Sequence, residues 1–230
     1  MTAGATRPHQ LLVVRLGDDP AAWEAAGFSV TRHEDGTGTV RIGRTNVELT
    51  GSGNGFEGWA VDGADGAVDG LELVDPWPDP ADAPPHPNGV ERIDHVVLLT
   101  GDTDRTVAAL TTVGPEVRGT RQTQAGGRPV RQVFLWAGDV VLEVVGPDED
   151  GPTTDGPTTV MGLALAVGDL AASAMFLGPL LGAPRDAVQP GRQVATLRHR
   201  DAGMGLPLLL MSPHVPGPGP HGQQLPASGP

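Results

Sequence analysis

The chain has 230 residues, and its 15 basic side chains are all arginines, since lysine, cysteine and tyrosine are absent. These absences exclude lysine Schiff bases, thiolate chemistry and phenol acid–base chemistry, so carboxylates, histidines, arginines and hydroxyl groups are left for any catalysis. The formal net charge of −13 argues against binding to a nucleic-acid backbone, which requires a basic surface.

The first block, residues 1–74, predicts a short and divergent β-α-β-β-β module. An apolar strand is expected at Leu11–Leu16, followed by a turn at Gly17-Asp18 and a short helix at Pro20–Ala26 with proline in its first turn. Three strands complete this order, and they are expected at Phe28–His33, Thr39–Ile42 and Asn46–Thr50. Two further strands, which have no place in this order, are expected at Gly58–Val61 and Gly70–Val74.

Two linkers and a tail separate and end the blocks. Residues 75–89 contain six prolines and predict an extended linker, and residues 148–159 form a second, acidic linker. Residues 214–230 are rich in proline and glycine, which predicts a disordered tail. Histidines in loops and in the tail, His86 among them, are expected at the surface.

The middle block, residues 90–147, has the clearest pattern. Glu91–Thr100 is an apolar run rich in valine and leucine, which is typical of a buried strand. Asp102 or Thr103 can cap a helix through Thr106–Val113, which Gly114-Pro115 would end. Three strands are then expected, at Glu116–Thr123, Pro129–Trp136 and Asp139–Val145. In the second of these, Phe134 and Trp136 alternate with Gln132 in spacing and are expected in the core or in a trough.

The third block, residues 160–213, repeats this order. Gly101-Asp102 and Gly146-Pro147 of the middle block align with Gly168-Asp169 and Ser212-Pro213, so the two blocks share a landmark at both ends. We therefore predict an α+β fold built from repeated βαβββ modules. The third-block elements are a strand at Met161–Val167, a helix at Ala171–Leu181 capped by Asp169, and strands at Pro184–Gln189, Arg192–Arg200 and Gly205–Met211.

The repeat opens with Ile93-Asp94-His95-Val96-Val97 and closes with Val141-Leu142-Glu143-Val144-Val145. With these features it resembles the vicinal oxygen chelate superfamily, which includes glyoxalase I, extradiol dioxygenases, methylmalonyl-CoA epimerase and the bleomycin- and fosfomycin-resistance proteins. The resemblance implies that two modules pair into a U-shaped trough of mixed sheet with helices on the outer face. It also implies metal ligands on the first and last strands of each module.

Carried onto this sequence, the resemblance places the first-strand ligand at His95 and the last-strand ligand at Glu143. In the third block the aligned positions are Gly162 and Leu209, which cannot coordinate a metal, so that this module is degenerate. In the first block the last-strand position is Glu48, which lies three residues before Gly51. The implied metal site is therefore His95, Glu143 and Glu48, for a divalent Zn, Mn, Fe or Ni ion.

Structural roles for these residues remain open on the sequence alone. His95 can be a hydrogen-bonded strand residue, Glu143 can pair with Arg131 on the neighbouring strand, and Glu48 can face solvent. The expected function is a glyoxalase-like protein that binds a small oxygenated molecule, possible activities being those of a metal-dependent lyase, isomerase or dioxygenase. The alternatives are a metal-free drug- or metabolite-sequestering protein of the bleomycin-resistance type, and a regulatory or assembly module.

The expected partner is a small-molecule ligand, and binding to nucleic acid or to a membrane is not expected. Met1–Gln10 has no apolar core of signal-peptide length, and the longest apolar runs are too short to span a membrane. A cytoplasmic monomer or homodimer is therefore expected.

Overall fold

The first block folds into a sheet of its own. The computed structural model describes residues 9–53, 55–80, 83–125 and 127–213. The elements of the first block are β1 (Leu11–Leu16), α1 (Pro20–Ala25), β2 (Thr31–Arg32), β3 (Gly38–Ile42), β4 (Thr45–Leu49) and β5 (Phe56–Val61). The strand order is β2-β3-β4-β1-β5, and the first and last strands of the module, β1 and β4, run parallel. The β-α-β-β-β order of this block is thus present despite its divergent sequence.

Two predicted strands outside that order find different places. The strand expected at Gly58–Val61 is β5, which completes the first sheet by pairing antiparallel with β1. The strand expected at Gly70–Val74 is instead a small hairpin of β6 (Ala67–Val68) and β7 (Leu71–Glu72). Asp69 and Gly70 form its turn with φ of 47° and 85°, the left-handed conformations that a two-residue hairpin turn requires.

The middle and third blocks together form one eight-stranded sheet. The middle block contributes β8 (Val90–Leu99), α2 (Thr103–Thr112), β9 (Glu116–Ala125), β10 (Arg128–Ala137) and β11 (Val140–Pro147). The third block contributes β12 (Thr159–Val167), α3 (Leu170–Leu177), a 3-10 turn (Gly178–Leu180), β13 (Arg185–Asp186), β14 (Gln193–Thr196) and β15 (Leu208–Met211).

The strand order of the large sheet is β13-β14-β15-β12-β8-β11-β10-β9. The first strands of the two blocks, β8 and β12, pair antiparallel at its centre. Each of them runs parallel to the last strand of its own block, β11 or β15. The sequence left open which blocks pair, and the sheet shows that the middle and third blocks do.

Several elements of the third block are shorter than predicted. Helix α3 ends at Leu177 because Gly178 adopts a φ of 53° and Pro179 follows, and neither continues an α-helix. Strands β13 and β14 are also short. The strand expected at Arg192–Arg200 stops at Thr196, because the backbone of residues 198–204 folds into hydrogen-bonded turns.

Alternation along β11 separates the two faces of the large sheet. Leu142 and Val144 are fully buried and belong to the same core as Leu110 of α2, which packs on β10 and β11. Val141 and Glu143 point to the other face, where they are only half-buried. On that face, residues of the two edge strands β9 and β13 line one cavity, which requires the sheet to curve into a trough.

The linker of residues 75–89 packs against the first sheet, without helix or strand in its described residues. His86 is buried, its Nδ1 accepts from the Ser29 N–H, and its Nε2 donates to the Arg41 carbonyl. Asp79 also accepts from Arg41. The surface position expected for His86 is therefore wrong, because backbone groups of the first block occupy both ring nitrogens.

The predicted tail, residues 214–230, lies outside the described residues, as do residues 1–8. Across the described ranges, none of the helices has the length and apolar character of a membrane-spanning segment.

Candidate functional site

The open face of the large sheet contains a cavity of about 530 Å³. Both modules of the sheet form it, because β8–β11 supply residues on one side, and β13–β15 with the residues after β13 supply the other. The central strands place polar side chains in it, whereas much of the remaining wall is apolar. The polar group includes Asp94, His95, Gln132 and Glu143, and the apolar group includes Phe134, Trp136, Leu209 and Met211.

A β-bulge brings two consecutive residues of β8 into this cavity. The register of β8 against β12 shifts between Ile93, which pairs with Leu165, and His95, which pairs with Ala164. Asp94 is the extra residue of the bulge. Asp94 and His95 therefore both line the cavity, although neighbours on a regular strand point to opposite faces.

His95 and Glu143, two of the three metal ligands implied by the resemblance, lie together in the cavity. His95 Nε2 is 3.5 Å from Glu143 Oε2, and His95 Nδ1 is 3.1 Å from Asp94 Oδ2. Two ligand atoms at about 2.1 Å from one tetrahedral ion are about 3.4 Å apart, so this spacing fits two positions around one metal. A carboxylate against the second ring nitrogen is the arrangement that orients metal-binding histidines.

The amide of Gln132 on β10 positions Glu143. Its Nε2 donates a short hydrogen bond to Glu143 Oε1, while its Oε1 accepts a 2.8 Å hydrogen bond from Arg121 Nε on β9. The two partners determine which way the amide points, since only its nitrogen can donate to the carboxylate.

Arg131, the alternative partner of Glu143, lies on the opposite face of the sheet. It is adjacent to Gln132 on β10, and its guanidinium binds Asp104 of α2 and Glu149. The sequence allowed an ion pair between Glu143 and Arg131, and this alternative is therefore wrong.

These contacts form one continuous polar line across the trough. On the far side of His95, both Asp94 oxygens accept from Arg192, with Arg192 Nη2 3.0 Å from Asp94 Oδ1. Arg192 immediately precedes β14 and is buried. The polar line consists of Arg121, Gln132, Glu143, His95, Asp94 and Arg192, each in contact with the next.

Asp94 is held as a carboxylate within this line. Burial raises the pKa of Asp94, but the hydrogen bonds from the His95 ring and the Arg192 guanidinium outweigh burial, so the pKa lies well below its ordinary value. Arg92 adds a second guanidinium 3.1 Å from Asp94 Oδ1. The charge of Asp94 is therefore compensated by the protein itself.

Glu48, the third implied ligand, lies on β4 of the first sheet and is not among the residues lining this cavity. Its Oε2 accepts from the Arg15 guanidinium at 2.6 Å, and its Oε1 accepts from the Trp77 backbone N–H at 2.6 Å. The Arg15 guanidinium carbon also lies 5.0 Å from the centroid of the Trp77 ring. The structure thus brings His95 and Glu143 together and places Glu48 in a buried ion pair elsewhere.

The corresponding positions of the third block supply no donor. Leu209 lines the cavity with an apolar side chain. At Gly162, an added Cβ would lie 2.7 Å from the Pro207 carbonyl oxygen, so the backbone occupies the space that a ligand side chain would need. Among the described residues, no three or more His, Cys, Asp or Glu side chains are grouped to hold a metal ion.

The sequence did not reveal most of the polar line. The bulge hides Asp94, since a regular strand would point it away from His95, and Arg192 comes from a distant part of the chain. Gln132 did have a signal, because it alternates with Phe134 and Trp136, and all three line the cavity. The trough position, one of the two considered for Phe134 and Trp136, is confirmed.

Comparison with known proteins finds similarity at the level of fold. No protein-family model and no curated protein matches the chain. A triply substituted 4-hydroxymandelate synthase from Streptomyces coelicolor matches 92% of this chain and 94% of its own, with a TM-score of 0.64 and 12% identity. A fusion of a xylose isomerase-like TIM barrel with a 4-hydroxyphenylpyruvate dioxygenase matches 94% of this chain and 50% of its own, with a TM-score of 0.58 and 12% identity. Methylmalonyl-CoA epimerase from Mycobacterium tuberculosis matches 55% of this chain and 91% of its own, with a TM-score of 0.42 and 19% identity.

The first match extends over nearly the whole of both chains, which includes the paired modules of the large sheet. Likeness at such low identity reports the fold rather than the activity. Together with the parallel first and last strands of each module, it confirms the architecture implied by the repeat. The chain therefore has the fold of the vicinal oxygen chelate superfamily.

Proposed function

We propose that this protein binds a small oxygenated molecule in the trough cavity, as glyoxalase-like proteins of this fold do. The observation that supports the proposal is the polar line, which crosses a cavity with a largely apolar wall. Small-molecule sites typically combine an apolar wall with a few convergent polar groups, and have volumes of roughly 300–1,000 Å³. The cavity, at about 530 Å³, meets both criteria.

In the first form of the proposal, His95 Nε2 and Glu143 Oε2 hold a divalent Zn, Mn, Fe or Ni ion. Their 3.5 Å spacing supports this, as do Asp94 behind His95 and Gln132 beside Glu143. A bound ion would act as a Lewis acid on an oxygen of the bound molecule. Because Glu48 is bound to other groups, this form rests on two protein ligands.

The expected reaction class of this form is a lyase, isomerase or dioxygenase. The fold neighbours named above include a dioxygenase fusion and an epimerase. In such a reaction the chain's own groups would fix the geometry, because Asp94 holds the ring of His95 and Gln132 holds the carboxylate of Glu143.

A different observation supports a second form, a metal-free binding protein of the bleomycin-resistance type. Gly162 and Leu209 leave the third module without a donor, and Glu143 Oε1 already accepts from Gln132. In this form the bound molecule would contact Phe134 and Trp136 and exchange hydrogen bonds with the polar line directly.

The metal content of protein purified without a chelating column separates the two forms. We expect the first form to give stoichiometric metal that is lost in His95→Ala and Glu143→Gln and kept in the matched control Glu48→Gln. Metal-free protein, with a melting temperature that a chelator leaves unchanged, would contradict the first form and support the second.

Both forms require that the ligand occupy the cavity. Leu209→Trp places a larger side chain in the cavity from β15 and should abolish small-molecule binding while the chain stays folded. A ligand affinity that this substitution leaves unchanged would contradict the proposal in both forms.

A further inference from the structure

Arg121 and Arg185 stand on the two rims of the trough. Arg121 lies on β9 and Arg185 on β13, the strands at opposite edges of the eight-stranded sheet, yet both residues line the same cavity. The curvature of the sheet therefore brings guanidinium groups from two different modules to one binding space.

Most arginines in the described chain are neutralised by a carboxylate, but these two are not. Among the described residues, neither Arg121 nor Arg185 has an Asp or Glu partner. The Arg121 side chain donates through Nε to Gln132, and the Arg185 side chain makes no hydrogen bond or ion pair within that part of the chain. Nine other arginines form ion pairs: Arg15, Arg32, Arg41, Arg44, Arg92, Arg105, Arg118, Arg131 and Arg192.

The acidic side chains of the cavity already have protein partners. Asp94 is bound by Arg192 and Arg92, and Glu143 accepts a hydrogen bond from Gln132 and faces His95. Arg121 and Arg185 are therefore two cations of this cavity with no carboxylate partner among the described residues, although the chain as a whole has a net charge of −13. Guanidinium groups bind carboxylate, phosphate and sulfonate oxygens through charge-assisted hydrogen bonds.

Large apolar side chains of the same cavity are exposed. Trp136 is 41% exposed and Val188 is 77% exposed, and both line the cavity. Val188 follows Arg185 by three residues on the same rim. An exposed tryptophan and valine in a cavity favour a ligand with an apolar body, because its binding removes that surface from water.

We propose that the ligand of this cavity is an anionic molecule with an apolar body. Its acidic group is held between Arg121 and Arg185, and its apolar body lies against Trp136 and Val188. The inference rests on the proposed function, because it concerns the same cavity, and it specifies the chemical class of the ligand.

Two fluorescent probes with nearly the same aromatic body test the inference. Anilinonaphthalene sulfonate has an acidic group, and N-phenyl-naphthylamine lacks it. We expect the sulfonate to bind wild-type protein at least about tenfold more tightly than the neutral probe, since one charge-assisted contact corresponds to about that factor. Arg121→Gln and Arg185→Gln should each weaken sulfonate binding severalfold and leave the neutral probe unaffected.

Arg118→Gln is the matched control, because Arg118 lies on the same strand as Arg121 but outside the cavity, where it pairs with Glu116. It should change neither affinity. Equal affinities for the two probes, or sulfonate binding that is unchanged in both cavity variants, would overturn the inference. Leu209→Trp distinguishes this failure from failure of the proposed function: it abolishes binding of both probes if they occupy the cavity, and changes neither if they bind elsewhere.

Discussion

The amide of Gln132 joins Arg121 to Glu143, accepting from the first through Oε1 and donating to the second through Nε2. It thereby connects a cation on the rim of the trough with a carboxylate on a central strand. Among the described residues, Gln132 is the only side chain apart from the His95 ring that can donate a hydrogen bond to Glu143 at this position. Gln132 is therefore the residue that positions Glu143 for whatever the cavity binds.

The first prediction concerns this positioning. Gln132→Met keeps the length of the side chain but removes both hydrogen bonds, so we expect affinity for the bound metal ion or for anilinonaphthalene sulfonate to fall about tenfold, in line with the loss of a polar partner to a charged group. The melting temperature should change little, because Gln132 is half-buried at the cavity. Equilibrium titration with the metal ion and with anilinonaphthalene sulfonate measures the effect. Gln124→Met, an exposed change on β9, is the control, and an unchanged affinity in Gln132→Met would contradict the assignment.

The second prediction assigns Glu48 to stability. Glu48 is fully buried and paired with Arg15, so Glu48→Leu leaves a guanidinium without its partner and should lower the free energy of unfolding by about 3 kcal/mol. The double variant Arg15→Met/Glu48→Leu should recover much of this loss, because it removes both charges together. Urea denaturation measures both values. If the double variant has a lower free energy of unfolding than Glu48→Leu, so that the two changes destabilise the protein independently, the two side chains are not coupled as described.

The third prediction concerns pH. Burial lowers the pKa of His86, against the raising effect of its hydrogen bond to the Arg41 carbonyl. Its Nδ1 accepts from the Ser29 N–H, so protonation would break that bond. The unfolded chain takes up a proton on this histidine below about pH 6.5, whereas the folded chain does so only at lower pH. The free energy of unfolding should therefore fall as the pH decreases below about 6.5, and this group should have no effect above that range.

The measurement for His86 is urea denaturation at a series of pH values. His86→Gln, which can still hydrogen-bond but does not titrate, should lose the part of the slope between about pH 6.5 and 5 that comes from this residue. The other histidines remain in both proteins, so the difference between the two slopes isolates His86. Parallel slopes would show that its folded and unfolded pKa values are alike.

Much of the fold was predictable from the sequence because strong local signals agree with it. The apolar run of β8, the Asp102 cap of α2 and the repeated landmarks all appear where expected. Asp169 caps α3 in the same way, accepting from two backbone N–H groups. Prediction was poorest where the backbone conformation of one residue determines where an element ends. At Gly178, for example, a positive φ ends α3 earlier than predicted.

The candidate site was predictable only in part. His95 and Glu143 lie on adjacent parallel strands, and the resemblance had implied that both are ligands of one site. Asp94 enters the cavity through a register shift that no residue pattern marked. The Arg15 contact of Glu48 depends on the alignment of β1 with β4, which pairs these two residues directly. Long-range pairings of this kind set the polar line, and local sequence does not encode them.

We expect the trough cavity to bind a small molecule through the groups around His95 and Glu143, and fluorine NMR of fluorotryptophan-labelled protein reports such binding at the cavity itself. The chain has four tryptophans, of which Trp23 and Trp59 are buried in the core, Trp77 packs near Arg15, and Trp136 lines the cavity. Trp136→Phe assigns the cavity signal. When small aryl and alkyl acids and carbonyl compounds are added, we expect the Trp136 signal to shift while those of Trp23 and Trp59 stay in place, and we expect His95→Ala to reduce the shift. A Trp136 signal that no compound moves, in a chain whose other signals show that it is folded, would mean that the trough cavity is not a binding site for these molecules.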